Sequence, residues 1–267
     1  MIPDKQGFQG RRFRYIYGPV PSWRIGSSLG IDLLSQREKV CSFDCIYCQL
    51  GDTKDYSLKR ERYVSEEEII KELQSMPKDV QIDFLTFSGR GEPTLAKNLG
   101  NTIKAVKQIR TEQIAVITNS STIAHEDVRQ ELALADLVIA KLDASTQEVF
   151  ERVNRPEKGI MLHAILEGIR KFREEYRGRL ALQLMFMKEN KGAAEDIALI
   201  VKGIRPDEVQ INTPLRPCGV EPLEKEELLR IKGLFDGLNV ISVYETEKGV
   251  VKPISDKDTL KRRGKAL

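Results

Sequence analysis

Apolar runs of strand length alternate repeatedly with stretches of helical period along this chain, and that alternation limits its fold more than any other feature. A strand followed by an amphipathic helix returns parallel to itself through a right-handed crossover. The strand-like runs are residues 28–34, 82–87, 114–118, 137–142, 180–187 and 209–212. Helical patterns fill 98–109, 125–134, 193–202 and 225–235, with a break at 156–159 inside the helical stretch that follows the fourth run. Ser65-Glu66-Glu67-Glu68 reads as a capping box, and Ile69, Ile70 and Leu73 share the face of the helix it starts. Six such units are two short of a closed (β/α) barrel. The expected fold is therefore α/β, a partial (β/α)6 TIM-like barrel open on one side, over residues 25–220. Residues 1–24 form an N-terminal extension, and 221–267 a C-terminal helix and strand extension with a basic tail. A seventh strand at 240–244 is expected outside the main repeat.

In parallel α/β folds the functional residues gather at the carboxyl ends of the strands. The unusual residues of this chain follow its strand runs one after another. A cysteine loop comes after the first run, and Ser88-Gly89-Arg90-Gly91-Glu92-Pro93 after the second. Asn119 and Ser120 follow the third, Asp143 and Ser145 the fourth, Lys188 the fifth, and Arg216 and Cys218 the sixth.

The 267 residues are 40% hydrophobic and 31% charged, enough for one large core. The formal charge of +3 neither argues for nor excludes a nucleic-acid partner. No apolar run reaches the roughly 18 residues of a membrane span. The polar, basic start of the chain is not a signal peptide. A cytoplasmic protein without a membrane partner is expected, and a monomer.

The cysteine loop is Cys41-Ser-Phe-Asp-Cys45-Ile-Tyr-Cys48. Three of the four cysteines packed this tightly are not a disulfide framework. The spacing lets one short loop bring three thiolates to one iron–sulfur cubane, a soft-ligand site. Three ligands leave one iron without a protein bond, free to chelate a small molecule through an amine and a carboxylate. The plainer readings are a zinc site with Cys218 as fourth ligand, or a cluster used only for structure or electron transfer. Zinc sites more often pair their cysteines at two separated knuckles.

CxxxCxxC with an aromatic, Tyr47, before the last cysteine resembles the signature of the radical S-adenosylmethionine (SAM) superfamily. The resemblance implies one [4Fe-4S] cluster on Cys41, Cys45 and Cys48, with SAM on the open iron. Reduction would then cleave the sulfonium to a 5′-deoxyadenosyl radical. Gly89-Arg90-Gly91-Glu92-Pro93 stands where the family carries a glycine–glutamate–proline motif that holds the SAM amino group. Ser88 belongs to this loop. Asn119 and Asp143 are then placed for the carboxylate or ribose of SAM, although Asn and Asp at strand ends also cap helices. Lys141 and Asp143 are two apart on a strand and share a face, so they are candidates to pair. Met185 and Met187 read more plainly as core filler than as an adenine pocket. Cys218 is the candidate catalytic thiol, a hydrogen donor or covalent carrier, against the reading of a buried cysteine. His125 and His163 read as structural.

Two stretches narrow the resemblance: Gly18-Pro-Val-Pro-Ser-Trp-Arg-Ile-Gly-Ser-Ser-Leu-Gly-Ile-Asp32 and Phe87-Ser-Gly-Arg-Gly-Glu-Pro-Thr-Leu95. Both look like archaeal and bacterial iron–sulfur oxidoreductases related to wyosine-type tRNA-modifying enzymes. Those tRNA enzymes carry further cysteines for a second cluster; here only Cys218 remains, so such a cluster cannot be assembled. The resemblance implies an oxidoreductase or transferase and a low-potential electron donor, a ferredoxin or flavodoxin. Arg11, Arg12 and Arg14, with Lys261, Arg262, Arg263 and Lys265, would suit phosphates if the substrate were RNA; solvated tails are the plainer reading.

Overall fold

The computed structural model describes residues 13–247 and 249–263. Its frame is one curled sheet of eight strands, an open half-barrel. In chain order the elements that build the sheet and its loops are β1 (Ile16–Ser22), β2 (Gly26–Ile31), β3 (Val40–Cys41), β4 (Asp55–Tyr56), α1 (Glu66–Gln74), β5 (Phe84–Phe87), α2 (Leu99–Ile109), β6 (Gln113–Thr118), α3 (Glu126–Leu132) and β7 (Leu137–Lys141). They continue with α4 (Gln147–Asn154), α5 (Leu162–Glu175), β8 (Arg179–Met185), α6 (Ala194–Ile204), β9 (Glu208–Asn212), α7 (Lys225–Gly233), β10 (Val240–Ser242) and α8 (Asp256–Arg263). The sheet order is β1-β2-β5-β6-β7-β8-β9-β10, parallel throughout except for the antiparallel β1–β2 pair. The small β3–β4 pair stands apart from it and clasps the base of the cysteine loop.

The middle strands are near-continuous apolar runs because helices cover their outer face. Leu99, Ile103 and Val106 of α2, and Ile165, Ile169 and Phe172 of α5, turn their apolar faces onto the sheet. The expected capping box starts α1: Glu68 N–H donates to Ser65 Oγ at 3.3 Å, and Ser65 N–H to the Glu68 carboxylate at 3.2 Å. The expected break before α5 is present, with Arg155 left-handed at the end of α4. A separate apolar group, Ile25, Phe84, Ala115, Leu137, Ile139 and Ala181, lies toward the amino ends of the strands and plugs that end of the half-barrel. The opposite end, at the strands' carboxyl termini, is left to the loops.

Two strands of the main sheet differ from the sequence reading. β10 does not stand outside the main repeat; it pairs parallel with β9, Val240 opposite Val209, and extends the same sheet. β1 was not expected at all. It carries Pro19 and Pro21, which cost nothing on an edge strand whose outward N–H groups need no ladder partner. The helix α8 packs on β1, with Gly18 N–H donating to Thr259 Oγ1 at 3.0 Å.

Candidate active site

Val40 joins the two loops on which the site depends. Its N–H donates to the Arg90 carbonyl at 3.1 Å, and its carbonyl accepts from Glu92 N–H at 3.2 Å. The glycine loop is thereby bonded to the residue immediately before Cys41. A Cβ on Gly91, whose φ is 153°, would fall 1.7 Å from the Val40 carbonyl oxygen. A Cβ on Gly89, at φ 152°, would fall 2.3 Å from the Asp32 carboxyl carbon. Both positions need glycine for close approach, one to backbone and one to a buried carboxylate.

The cysteine loop is braced from three sides. Cys48 N–H donates to the Cys45 carbonyl at 2.9 Å, and Gly51 N–H to the Cys48 carbonyl at 3.1 Å. Thr53 donates its N–H to Asp44 at 2.5 Å and its hydroxyl to the Phe43 carbonyl at 2.7 Å. Phe43 packs edge-on against Phe150 of α4, and Ile46 N–H donates to the Val153 carbonyl.

Each sulfur accepts from a nitrogen: Cys48 from Lys39 Nζ at 3.4 Å, Cys41 from Asn119 Nδ2 at 3.6 Å, Cys45 from Asn154 Nδ2 at 3.5 Å. Burial pushes the Cys41 thiol well up, and the neighbouring Cys45 adds to the shift. Burial pushes Cys45 up to about 11, opposed by its bonds to Tyr47 and Asn154. Among the described residues no three His, Cys, Asp or Glu side chains converge on a single metal point. A cubane takes one thiolate per iron, and the thiols of Cys41, Cys45 and Cys48 on one short loop are a donor set of that kind.

Glu92 is 2% exposed and ties the ends of β5 and β6 together. Its carboxylate accepts from Asn119 N–H at 2.5 Å, Thr118 Oγ1 at 2.7 Å, and Thr94 N–H and Oγ1 at 3.0 and 2.7 Å. Burial raises its carboxyl above the ordinary range, and those donors oppose the rise. Asn119 also donates to Ser42 Oγ at 2.9 Å and accepts from Ser121 N–H, so it reaches the cysteine loop while closing its own turn.

Asp143 is similarly committed. One oxygen accepts from Met185 N–H at 2.8 Å; the other takes the Tyr47 hydroxyl and Asn154 Nδ2, the latter at 2.9 Å. Lys141 pairs with Asp143 at 3.6 Å, as their shared strand face implied, and lies over the Tyr47 ring. Burial drives the Tyr47 phenol far up, reinforced by the Asp143 charge.

The half-barrel interior is a cavity of about 660 Å³, within the range of small-molecule sites. Cys41, Cys48, Tyr47, Ser88, Gly89 and Gly91 all line it, as does Met185. Glu92, Asn119 and Asp143 stand behind it as braces. Cys45, Cys48 and Cys218 line a second cavity of about 380 Å³. Cys218 donates to the Val220 carbonyl at 3.3 Å. Met187 is buried core; His125 and His163 are exposed.

Sequence reasoning missed Lys39, Asn154, Asp32 and Arg262. Asp32 left a signal, a carboxylate inside the apolar run after β2. Arg262 left none: it lies in a stretch expected to be solvated, yet it is 6% exposed and paired to Asp32 at 3.2 Å. That corrects the solvated-tail reading at this residue, because α8 folds back onto β1. Arg14 is exposed, while Arg11, Arg12 and Lys265 lie outside the described residues.

Residues 39–201 match the family model of the radical SAM superfamily. A UPF0026 protein of Synechocystis sp. is 42% identical over 80% of this chain and 79% of its own length. GTPase Obg of Brachyspira hyodysenteriae is 37% identical over 92% of this chain, and the chain spans only 38% of that protein. The crystal structure of archaeal TYW1 is similar in fold, with a TM-score of 0.57 at 14% identity, covering 81% of this chain and 74% of that one. No helix among the described residues is long and apolar enough to cross a membrane.

Proposed function

The chain belongs to the radical SAM superfamily and to the UPF0026 family, and from that premise we propose that it is a one-cluster SAM-cleaving enzyme. In this reading Cys41, Cys45 and Cys48 hold a [4Fe-4S] cluster, and the Ser88–Gly89–Gly91 loop with Tyr47 receives SAM. The observation that carries it is the Val40 bridge. Gly91 packs against the carbonyl next to Cys41, so the cofactor loop and the thiolate loop share one wall of one cavity.

When bound, cluster and SAM together supply reductive cleavage of the sulfonium to a 5′-deoxyadenosyl radical. The chain's own residues position and shield. Glu92 fixes the spacing of the β5 and β6 ends. Asp143 and Asn154 hold Tyr47 and the cysteine loop to β7 and α4. Lys39, 5% exposed, donates toward Cys48, Asn119 toward Cys41 and Asn154 toward Cys45, and such donors tune a cluster's potential. Ile117 and Met185 present apolar surface to the cavity.

Cys218 lines the second cavity and not the main one, so the reading of Cys218 as hydrogen donor gains no support from its position. An external low-potential donor, a ferredoxin or flavodoxin, belongs to the same reading, as do a cytoplasmic location and a monomeric state. RNA as substrate gains no support from Arg262, whose charge is buried against Asp32.

Anaerobic reconstitution with iron and sulfide, followed by reduction with SAM present, tests the reading. It predicts 5′-deoxyadenosine from the intact chain and none from Cys45→Ala. Full cleavage by that variant, or zinc near one per chain with no iron–sulfur absorption, overturns it. S-adenosylhomocysteine appearing beside 5′-deoxyadenosine would assign methyl transfer.

A further inference from the structure

The C-terminal segment forms part of the main cavity's wall, where Val251, Pro253, Thr259 and Arg262 line it. It is fastened along β1: Ile254 N–H donates to the Gly18 carbonyl at 2.5 Å, and Gly18 N–H to Thr259 Oγ1 at 3.0 Å. Arg262 reaches further. Its Nε donates to one Asp32 oxygen at 3.2 Å. The other Asp32 oxygen accepts Arg90 N–H at 3.2 Å, and the same carboxylate occupies the space a Cβ on Gly89 would need. The Arg262 guanidinium also lies 6.0 Å from the centre of the Tyr17 ring, and Tyr17 shares a 2.8 Å hydrogen bond with Ser88 Oγ. Two side chains in contact with Arg262 thus hold the residues on either side of Gly89. The guanidinium is itself fixed, donating to the carbonyls of Asp258 and Arg14 and to Ser35 Oγ.

Stability alone is a weak reason for such a pair, because apolar residues of similar volume often replace a buried ion pair without loss. Asp32 has a second use, since it ties a backbone N–H of the glycine loop to the C-terminal helix.

We propose that Arg262 is a positioning residue for SAM: through Asp32 and Tyr17 it fixes the Ser88–Arg90 turn, so that docking of α8 and binding of SAM favour each other. The inference rests on reading that turn as part of the SAM seat, and it adds the C-terminal helix to the binding machinery. Such linkage is reciprocal: what α8 contributes to SAM affinity, SAM returns to the docking of α8.

Two measurements on the full-length protein test this. Hydrogen exchange at residues 88–92, without cluster or SAM, is faster in Arg262→Met than in the parent. SAM affinity of the reconstituted protein, by equilibrium dialysis, falls by about tenfold or more, within the usual range of coupling between sites. Arg262→Lys recovers part of both, and SAM slows exchange in α8 of the parent. Arg173→Met is the control for lost stability: it breaks the ion pair with Asp207, at the amino end of β9, and leaves both readouts at parent values. Asp32→Asn with Arg262→Met restores much of the fold's stability but leaves SAM binding weak. Recovery of SAM affinity in step with stability in that double variant overturns the proposal, because Arg262 then serves the fold alone. Unchanged exchange at 88–92 in Arg262→Met overturns it as well. Faster exchange there, with no SAM bound even by the reconstituted parent, counts against the radical SAM reading and leaves the link between α8 and the loop standing.

Discussion

Asp32 and Arg262, 230 residues apart in sequence, meet with Nε 3.2 Å from the carboxylate in a site that leaves their side chains 1% and 5% exposed. The other Asp32 oxygen accepts from Leu34 N–H at 3.1 Å and Arg90 N–H at 3.2 Å. The C-terminal helix therefore reaches the glycine loop through one carboxylate. Burial raises the Asp32 carboxyl, and the guanidinium opposes that rise. Arg262→Met leaves a buried charge unpaired, which costs about 3–5 kcal/mol, whereas Asp32→Asn with Arg262→Met recovers a good part of it. Urea unfolding of the three variants measures this directly. Equal stability of Arg262→Met and the parent would show that the pair carries no weight.

Gly91→Ala sets a Cβ against the Val40 carbonyl in a backbone conformation that alanine avoids. The loop must move away from Cys41, at a cost of roughly 1–3 kcal/mol of local strain. SAM affinity falls by about tenfold or more, while the far-ultraviolet circular dichroism spectrum is retained. Unaltered SAM binding would mean that the loop is not the cofactor seat.

Much of this was legible in the chain and some was not, for identifiable reasons. The βα repeat announced itself because the apolar period changes at every element. The Lys141–Asp143 contact followed from strand alternation alone. The β1 strand was hidden because Pro19 and Pro21 argue against a strand anywhere but an edge, and only tertiary placement makes an edge of it. Arg262 was hidden by its basic neighbours: burial of one cation depends on Asp32 waiting far away in sequence. The roles of Asn119 and Asp143 divide in the same manner. Their strand-end positions made them candidates for the carboxylate or ribose of SAM; in the structure Asp143 bonds to Met185, Tyr47 and Asn154, and Asn119 to Ser42, Ser121 and Glu92, partners the strand pattern could not name.

Glu92 gives the fold a pH dependence of known sign. Its carboxyl is raised in the folded protein, chiefly by burial. Above the ordinary glutamate value of about 4.3, the unfolded chain has released a proton that the folded chain still holds. This contribution to stability is complete below that value and is lost as pH rises through the folded one. Glu92→Gln removes the titration, so its stability changes less steeply than that of the parent between those two values. Because its amide turns a donor toward groups that already donate, the variant is also less stable by about 1–3 kcal/mol at neutral pH. Denaturation midpoints across the acidic range distinguish the slopes; parallel profiles would remove Glu92 from the account.

Asn154 offers a test of the cluster's surroundings that does not depend on turnover. Its amide donates to Cys45 Sγ at 3.5 Å and to Asp143 at 2.9 Å, so it both touches a sulfur proposed as a cluster ligand and anchors the network that holds Tyr47. A donor to a ligand sulfur stabilises the more negative, reduced state and raises the reduction potential. Asn154→Ala in the reconstituted protein should therefore keep its iron and show a lower potential by redox titration. If iron is lost along with the side chain, the residue's weight lies in anchoring the loop. If both iron content and potential match the parent, the N–H···S contact has no bearing on the cluster.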